Sequence, residues 1–152
     1  MRRRSIRLPP IVYAEEGRVF SVTIGTSPRR RIFEDQAFAR DCVAELSSLR
    51  SRTSTKVYAY CLMPDHVHLL LGIPFGFSLS HLVGAWKSCC YRLWRDRGYE
   101  HSFWQRSYYD HALRREENLR RAAEYILNNP VRAGLVGRFE DYEACGSLEF
   151  EL

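Results

Sequence analysis

The chain has 152 residues, 45% hydrophobic and 27% charged, which suits one domain with a single core and argues against general disorder. No apolar run approaches the roughly 20 residues that a spanning helix needs, and no apolar signal core follows the basic start Met1-Arg2-Arg3-Arg4, so a cytoplasmic protein without membrane contact is expected. The net charge is +5 and, of 23 basic residues, only Lys56 and Lys87 are lysines; arginine and 13% aromatic residues suit a nucleic-acid binder, although a codon bias toward arginine gives the same composition.

Residues 1–17 read as a flexible basic arm, broken by Pro9-Pro10 and Gly17, and residues 18–152 as one domain. Residues 18–26 (RVFSVTIGT) alternate and are β-branched, which predicts a strand that Ser27-Pro28 ends. A helix is expected over 35–50, with Phe38, Cys42, Leu46 and Leu49 on one apolar face. Residues 56–62 (KVYAYCL) and 66–73 (HVHLLLGI) predict two antiparallel strands joined by the short turn Met63-Pro64-Asp65. Ser78 can cap a helix reaching residue 95, with Leu79, Leu82, Val83, Trp86, Cys90 and Leu93 on its buried side and Trp94 also assigned to the core. A shorter strand is expected over 107–113, and a last helix over 116–128 that stops before Pro130, because the residue before a proline is pushed out of helical geometry. The tail after Gly134 reads as irregular. This order predicts an α+β, ferredoxin-like antiparallel sheet with helices packed on one face and an added C-terminal helix. The five cysteines show no C-x-x-C spacing and read as reduced structural residues, with a zinc site as the alternative.

The sharpest local pattern is Pro64-Asp65-His66-Val67-His68-Leu69. Alternate residues of a strand share a face, so His66 and His68 project together and two imidazoles can grip one divalent ion. Taken alone, an H-x-H pair is more often a pair of hydrogen-bonded sheet residues than a metal site. On the last helix Leu119, Ala123 and Ile126 form the apolar stripe, and Tyr125 and Asn129, four apart, share a flanking side if the last turn persists. Tyr125 then emerges where helix meets sheet.

Together, residues 63–70 (MPDHVHLL) and 125–136 (YILNNPVRAGLV) resemble the two signatures of the single-tyrosine HUH transposases, and most nearly the REP-associated tyrosine transposase branch. Phe103-Trp104-Gln105-Arg106, Tyr108-Tyr109-Asp110-His111 and Phe139-Glu140-Asp141-Tyr142 are similar to that branch too, so the likeness spans residues 18–147. The resemblance implies a single-stranded DNA endonuclease and strand transferase that holds Mg²⁺ or Mn²⁺ with His66, His68 and Asn129. It implies Tyr125 as the nucleophile that forms a 5′-phosphotyrosine, and a REP-type hairpin as substrate. Asp65 stands where relatives often carry asparagine, a change expected to leave the metal unaffected, and the tail departs from the pattern after Tyr142. A monomer with its site built within one chain is expected, although some relatives are dimers.

Such an enzyme must also hold DNA. Trp104, Tyr108 and Tyr109 are stacking candidates, and Arg29, Arg30, Arg31, Arg106, Arg114, Arg115, Arg120 and Arg121 are phosphate candidates. His111 is a candidate proton acceptor or DNA contact, and a structural role suits it as well. Two other readings stay open: a catalytically silent nucleic-acid-binding module, and a phosphodiesterase in which water attacks and Tyr125 is structural.

Overall fold

The computed structural model describes residues 18–28, 30–114 and 119–151. The expected basic arm and the candidates Arg29 and Arg115 lie outside the described residues. Five strands form one antiparallel sheet: β1 (Val19–Gly25), β2 (Lys56–Met63), β3 (His66–Gly72), β4 (Tyr109–Ala112) and β5 (Cys145–Gly146), in the order β4-β1-β3-β2-β5. The alternation read in residues 18–26 and 66–73 decides the faces. Val22 and Ile24 of β1 and Val67, Leu69 and Leu71 of β3 enter the main core beneath the helices α1 (Gln36–Thr53) and α2 (Leu79–Asp96).

Both long helices start on side-chain caps. Asp35 accepts from the Phe38 N–H at 3.1 Å and Ser78 from the His81 N–H at 3.2 Å, each satisfying a donor the helix leaves open. The buried positions of α1 include the expected Phe38, Cys42, Leu46 and Leu49. In α2 the stripe ends on Trp94, while Leu93, expected inside, is only partly buried. The indole fills more of the gap beside Phe38 and Phe103, so the helix turns that side inward.

The two long helices thus share a face, as expected, and the added helix lies on the other one. Here α3 (Leu119–Leu127) covers Ala59, Cys61, Met63 and Leu70 with Leu119, Ala123, Ile126 and Leu127, making a second, smaller core. Helix α3 does not run on to Asn129: the chain breaks at Asn128 and resumes as the single turn α4 (Asn129–Arg132), with Pro130 in its first positions. Tyr125 and Asn129 therefore belong to two helical segments rather than to one continuous face.

The tail, expected to be irregular, is instead a clasp. After a 3₁₀ turn at Phe139–Asp141, β5 pairs with β2, setting Cys145 opposite Cys61 and Gly146 opposite Tyr60. Glycine is required at 146, because a Cβ there would lie 2.7 Å from the Tyr60 hydroxyl. The Tyr142 hydroxyl donates to the Leu62 carbonyl at 2.8 Å, and the Cys145 thiol donates to the Leu127 carbonyl at 3.4 Å, at the end of α3. Glu149 closes the clasp: its carboxylate accepts from the Val57 N–H at 3.1 Å, beside an irregularity in β2, and from Arg50 at 2.7 and 3.2 Å. Glu149→Ala leaves that buried N–H without its acceptor, and a loss of about 2 kcal/mol is expected. Urea unfolding checks it; a midpoint equal to wild type would show that the clasp is not held there.

Candidate active site

His66 and His68 stand side by side on the sheet face that α3 partly covers, their ring centroids 4.8 Å apart and their planes nearly perpendicular. Each ring is steered by one nitrogen. His66 Nδ1 lies 2.6 Å from Asp65 Oδ1, and His68 Nδ1 lies 3.2 Å from the hydroxyl of Thr23, its cross-strand partner on β1. With a proton on Nδ1 facing the carboxylate or the hydroxyl, each ring turns its Nε2 lone pair outward, the usual arrangement of imidazole ligands. Asp65, at a position where relatives often carry asparagine, thus contacts His66 through its carboxylate.

The turn that delivers these rings is held from both sides. The Asp65 carbonyl accepts from the N–H and the buried hydroxyl of Thr26 at 3.1 and 2.9 Å, and the Pro64 carbonyl accepts from the Phe33 N–H at 3.1 Å. His68 is held down to about 4, by burial first and then by the charges of His66 and Arg132, so its ring is neutral at neutral pH and available as a ligand. Among the described residues no three His, Cys, Asp or Glu side chains converge on one point.

Tyr125 emerges from α3 with 64% of its surface exposed. Arg132, on α4, folds back on it: the guanidinium lies 3.8 Å from the centre of the phenol ring and donates to the Tyr125 carbonyl at 2.7 Å. That second contact also satisfies a carbonyl at the broken end of α3. The positive charge of Arg132 also acts weakly on His68, in the direction that lowers its pKa. Asn129 opens α4, partly buried, and α4 packs against β2.

The other sequence candidates separate. Tyr109, 81% exposed, sits across β1 from Thr23, and the exposed His111 sits across from Ser21, both on the histidine face. Trp104 does not remain a stacking candidate: it is buried, its indole N–H donates to the Lys87 carbonyl at 3.0 Å, and its ring packs among Phe33, Trp86 and Phe103. Tyr108 is partly buried against the same core. Arg30, Arg106 and Arg121 are exposed, while Arg31 is paired with Glu34. Thr23 and Arg132 had no assigned role in the sequence; strand register and the Asn128 break reveal them.

The histidine pair stands on the central strand, on the face that the tyrosine-bearing helix partly covers, and the family model for IS200-like transposases matches residues 19–129. The chain belongs to the IS200-like transposase family, whose members nick and join DNA. Within it the likeness is to the REP-associated tyrosine transposases. One of that name from Haemophilus influenzae is 26% identical over 122 residues, covering 70% of this chain and 69% of the relative. Another from Escherichia coli is 25% identical over 87 residues, where the match covers 57% of this chain and about half, 51%, of the relative. The fold agrees with a solved REP-associated tyrosine transposase bound to a REP hairpin, at a TM-score of 0.70 and 20% identity over 91% of this chain and 82% of that one. A transposase structure from Deinococcus radiodurans aligns at 0.55 and 19% identity, over 90% of this chain and 96% of that one. No helix among the described residues is long and apolar enough to cross a membrane.

The burial of His68 has a consequence for stability. Its folded value near 4 lies below the ordinary 6.5, so between those values the unfolded chain binds more protons. The contribution is complete above pH 6.5 and is lost as pH falls toward 4. Between pH 7 and pH 5 the metal-free protein is expected to lose about 2 kcal/mol from this group. Urea titrations at both pH values, repeated on His68→Gln, isolate that loss; an equal pH dependence in the variant would assign it elsewhere.

Proposed function

We propose that this protein cuts and rejoins single-stranded DNA at the foot of a REP-type hairpin, with Tyr125 as nucleophile and His66, His68 and Asn129 as the ligands of Mg²⁺ or Mn²⁺. The observation that carries the reading is that one chain sets the exposed Tyr125, with Arg132 folded over its ring, on the helix that partly covers the sheet face bearing the His66–His68 pair. It favours a site completed by one monomer. The REP-hairpin substrate is drawn from the relatives, one of which was solved with such a hairpin.

A divalent ion at this site supplies Lewis-acid polarisation of a non-bridging phosphate oxygen. Two imidazoles and an amide bring no charge of their own, so they leave the cation's field for the phosphate. Asp65 and Thr23 hold the imidazoles in the ligating orientation. The Tyr125 oxygen bonds to phosphorus as the P–O3′ bond breaks; the phenolic proton leaves to a base, and the released 3′ oxygen takes up a proton. One phosphodiester is exchanged for another, so a 3′-hydroxyl can later reverse the step without an energy source. Tyr109, and arginines such as Arg106 and Arg121, are exposed surfaces available to bases and phosphates.

The test is a labelled single-stranded REP-type hairpin with Mg²⁺ or Mn²⁺, resolved on a denaturing gel. A protein–DNA adduct is expected with wild type and is expected to vanish in Tyr125→Phe and with chelator. Cleavage without adduct, unchanged in Tyr125→Phe, would replace this reading with hydrolysis by water. Two further outcomes follow. Asp65→Ala should weaken Mn²⁺ binding, read by calorimetry, about tenfold or more, as losses of orienting partners do. Arg132→Gln should slow adduct formation at saturating DNA about tenfold while DNA affinity stays within a few-fold; an affinity loss with an unchanged rate would make Arg132 a phosphate contact only.

A further inference from the structure

Gly25 lies directly opposite His66, so anything above its α-carbon on that face borders the first histidine. What lies there is the carboxamide of Gln105. A Cβ built on Gly25 would meet its Oε1 at 2.7 Å, Cδ at 2.8 Å and Nε2 at 3.0 Å, so the amide rests on the glycine and only glycine leaves it room. The Gln105 backbone is fixed at both polar atoms: its N–H donates to the Gly25 carbonyl at 3.0 Å, and its carbonyl accepts from Lys87 Nζ at 2.8 Å. On one side of it, Trp104 bridges to Thr26 and is locked into the aromatic core. Yet the Gln105 side chain is exposed, and its amide makes no hydrogen bond among the described residues.

A firmly anchored backbone thus presents, beside the histidine pair, a donor and an acceptor that no described residue engages. Two residues back along β1, the next row across the sheet is Tyr109, Thr23 and His68. The site face therefore carries two parallel rows, each with a histidine inside and an exposed group at the edge: Gln105 in one, Tyr109 in the other. Residues two apart on a strand are separated by about 6.6 Å, so the two rows are near neighbours on this face.

We propose that Gln105 is a specificity-determining residue whose amide reads one unpaired nucleobase next to the cleaved phosphate, with the Tyr109 ring as the stacking surface. The inference rests on the cleavage reading given above. The side-by-side donor and acceptor of a primary amide match adenine, which offers an acceptor at N7 and a donor at N6. Glycine at 25 is part of the device, because any side chain there would displace the amide.

The experiment is covalent capture from a pool of REP-type hairpins whose unpaired flank is randomised, with Mn²⁺, followed by sequencing of the DNA attached to protein. Wild type, Gln105→Leu and Gln105→Glu are compared by base frequencies within each captured pool, and their melting temperatures and Mn²⁺ affinities are measured alongside. In wild type one flank position is expected to favour adenine. Gln105→Leu should flatten that position about tenfold or more, leaving the other positions as they were. Gln105→Glu, which can only accept, should move the preference toward cytosine, whose N4 donates. Identical base frequencies in all three proteins would overturn the proposal. So would a tenfold loss of Mn²⁺ affinity in Gln105→Leu, which would make the amide a metal group. Absence of any adduct from wild type would instead remove the cleavage reading itself, and is told apart because it does not depend on residue 105.

Discussion

Val67, Leu69 and Leu71 leave the central strand only one way to lie. Their side chains must enter the core under α1 and α2, and because a strand alternates, His66 and His68 must then stand on the opposite face. A slip of one residue would bury both imidazoles in an apolar layer and expose three aliphatic side chains, so the hydrophobic effect fixes the register that the chemistry needs. The positioning of the histidines thus comes from the most strongly favoured packing in the molecule. What remains to be set is fine orientation, and Asp65 and Thr23 provide it through single contacts to Nδ1.

The tyrosine side of the site is built on a different principle. Helix α3 is short and stops where Asn128-Asn129-Pro130 interrupts the backbone pattern, and a helix end left open needs partners for its carbonyls. Two come from far along the chain or from the far side of the break: Arg132 serves the carbonyl of Tyr125, and the Cys145 thiol serves that of Leu127. The same break lets Arg132 turn back over the phenol ring. An interruption that weakens the helix is what allows a cation to cover the ring of Tyr125.

Much of this was legible in the residues and some was not, for physical reasons. The strands β1 to β3, both long helices and the shared face of His66 and His68 follow from periodicity and, for α2, from Ser78 as a cap; the Asp35 cap of α1 emerges only in the structure. The burial of Trp104 could not be read, because an indole suits a core and a stacking surface equally and only its neighbours decide. The strand Cys145–Gly146 is two residues long, too short for any period to show. Thr23, Arg132 and Gln105 matter through residues distant in sequence, and nothing local to them announces a strand register or a helix that folds back. The family likeness named the histidines and the tyrosine; the groups that orient them had to come from the fold.

The clasp formed by Tyr142, Cys145 and Glu149 has a consequence for the order in which the protein comes into being. During synthesis the histidine strand and its neighbours leave the ribosome early, and α1 and α2 can close over one face of them. The opposite face has no complete cover until residues 139–150 have been made, since these residues brace β2 and the end of α3. The nascent chain therefore carries its histidine pair well before its tyrosine is seated. A chain that stops before residue 139 can close its main core but lacks the segment that braces the end of α3, the helix that carries Tyr125.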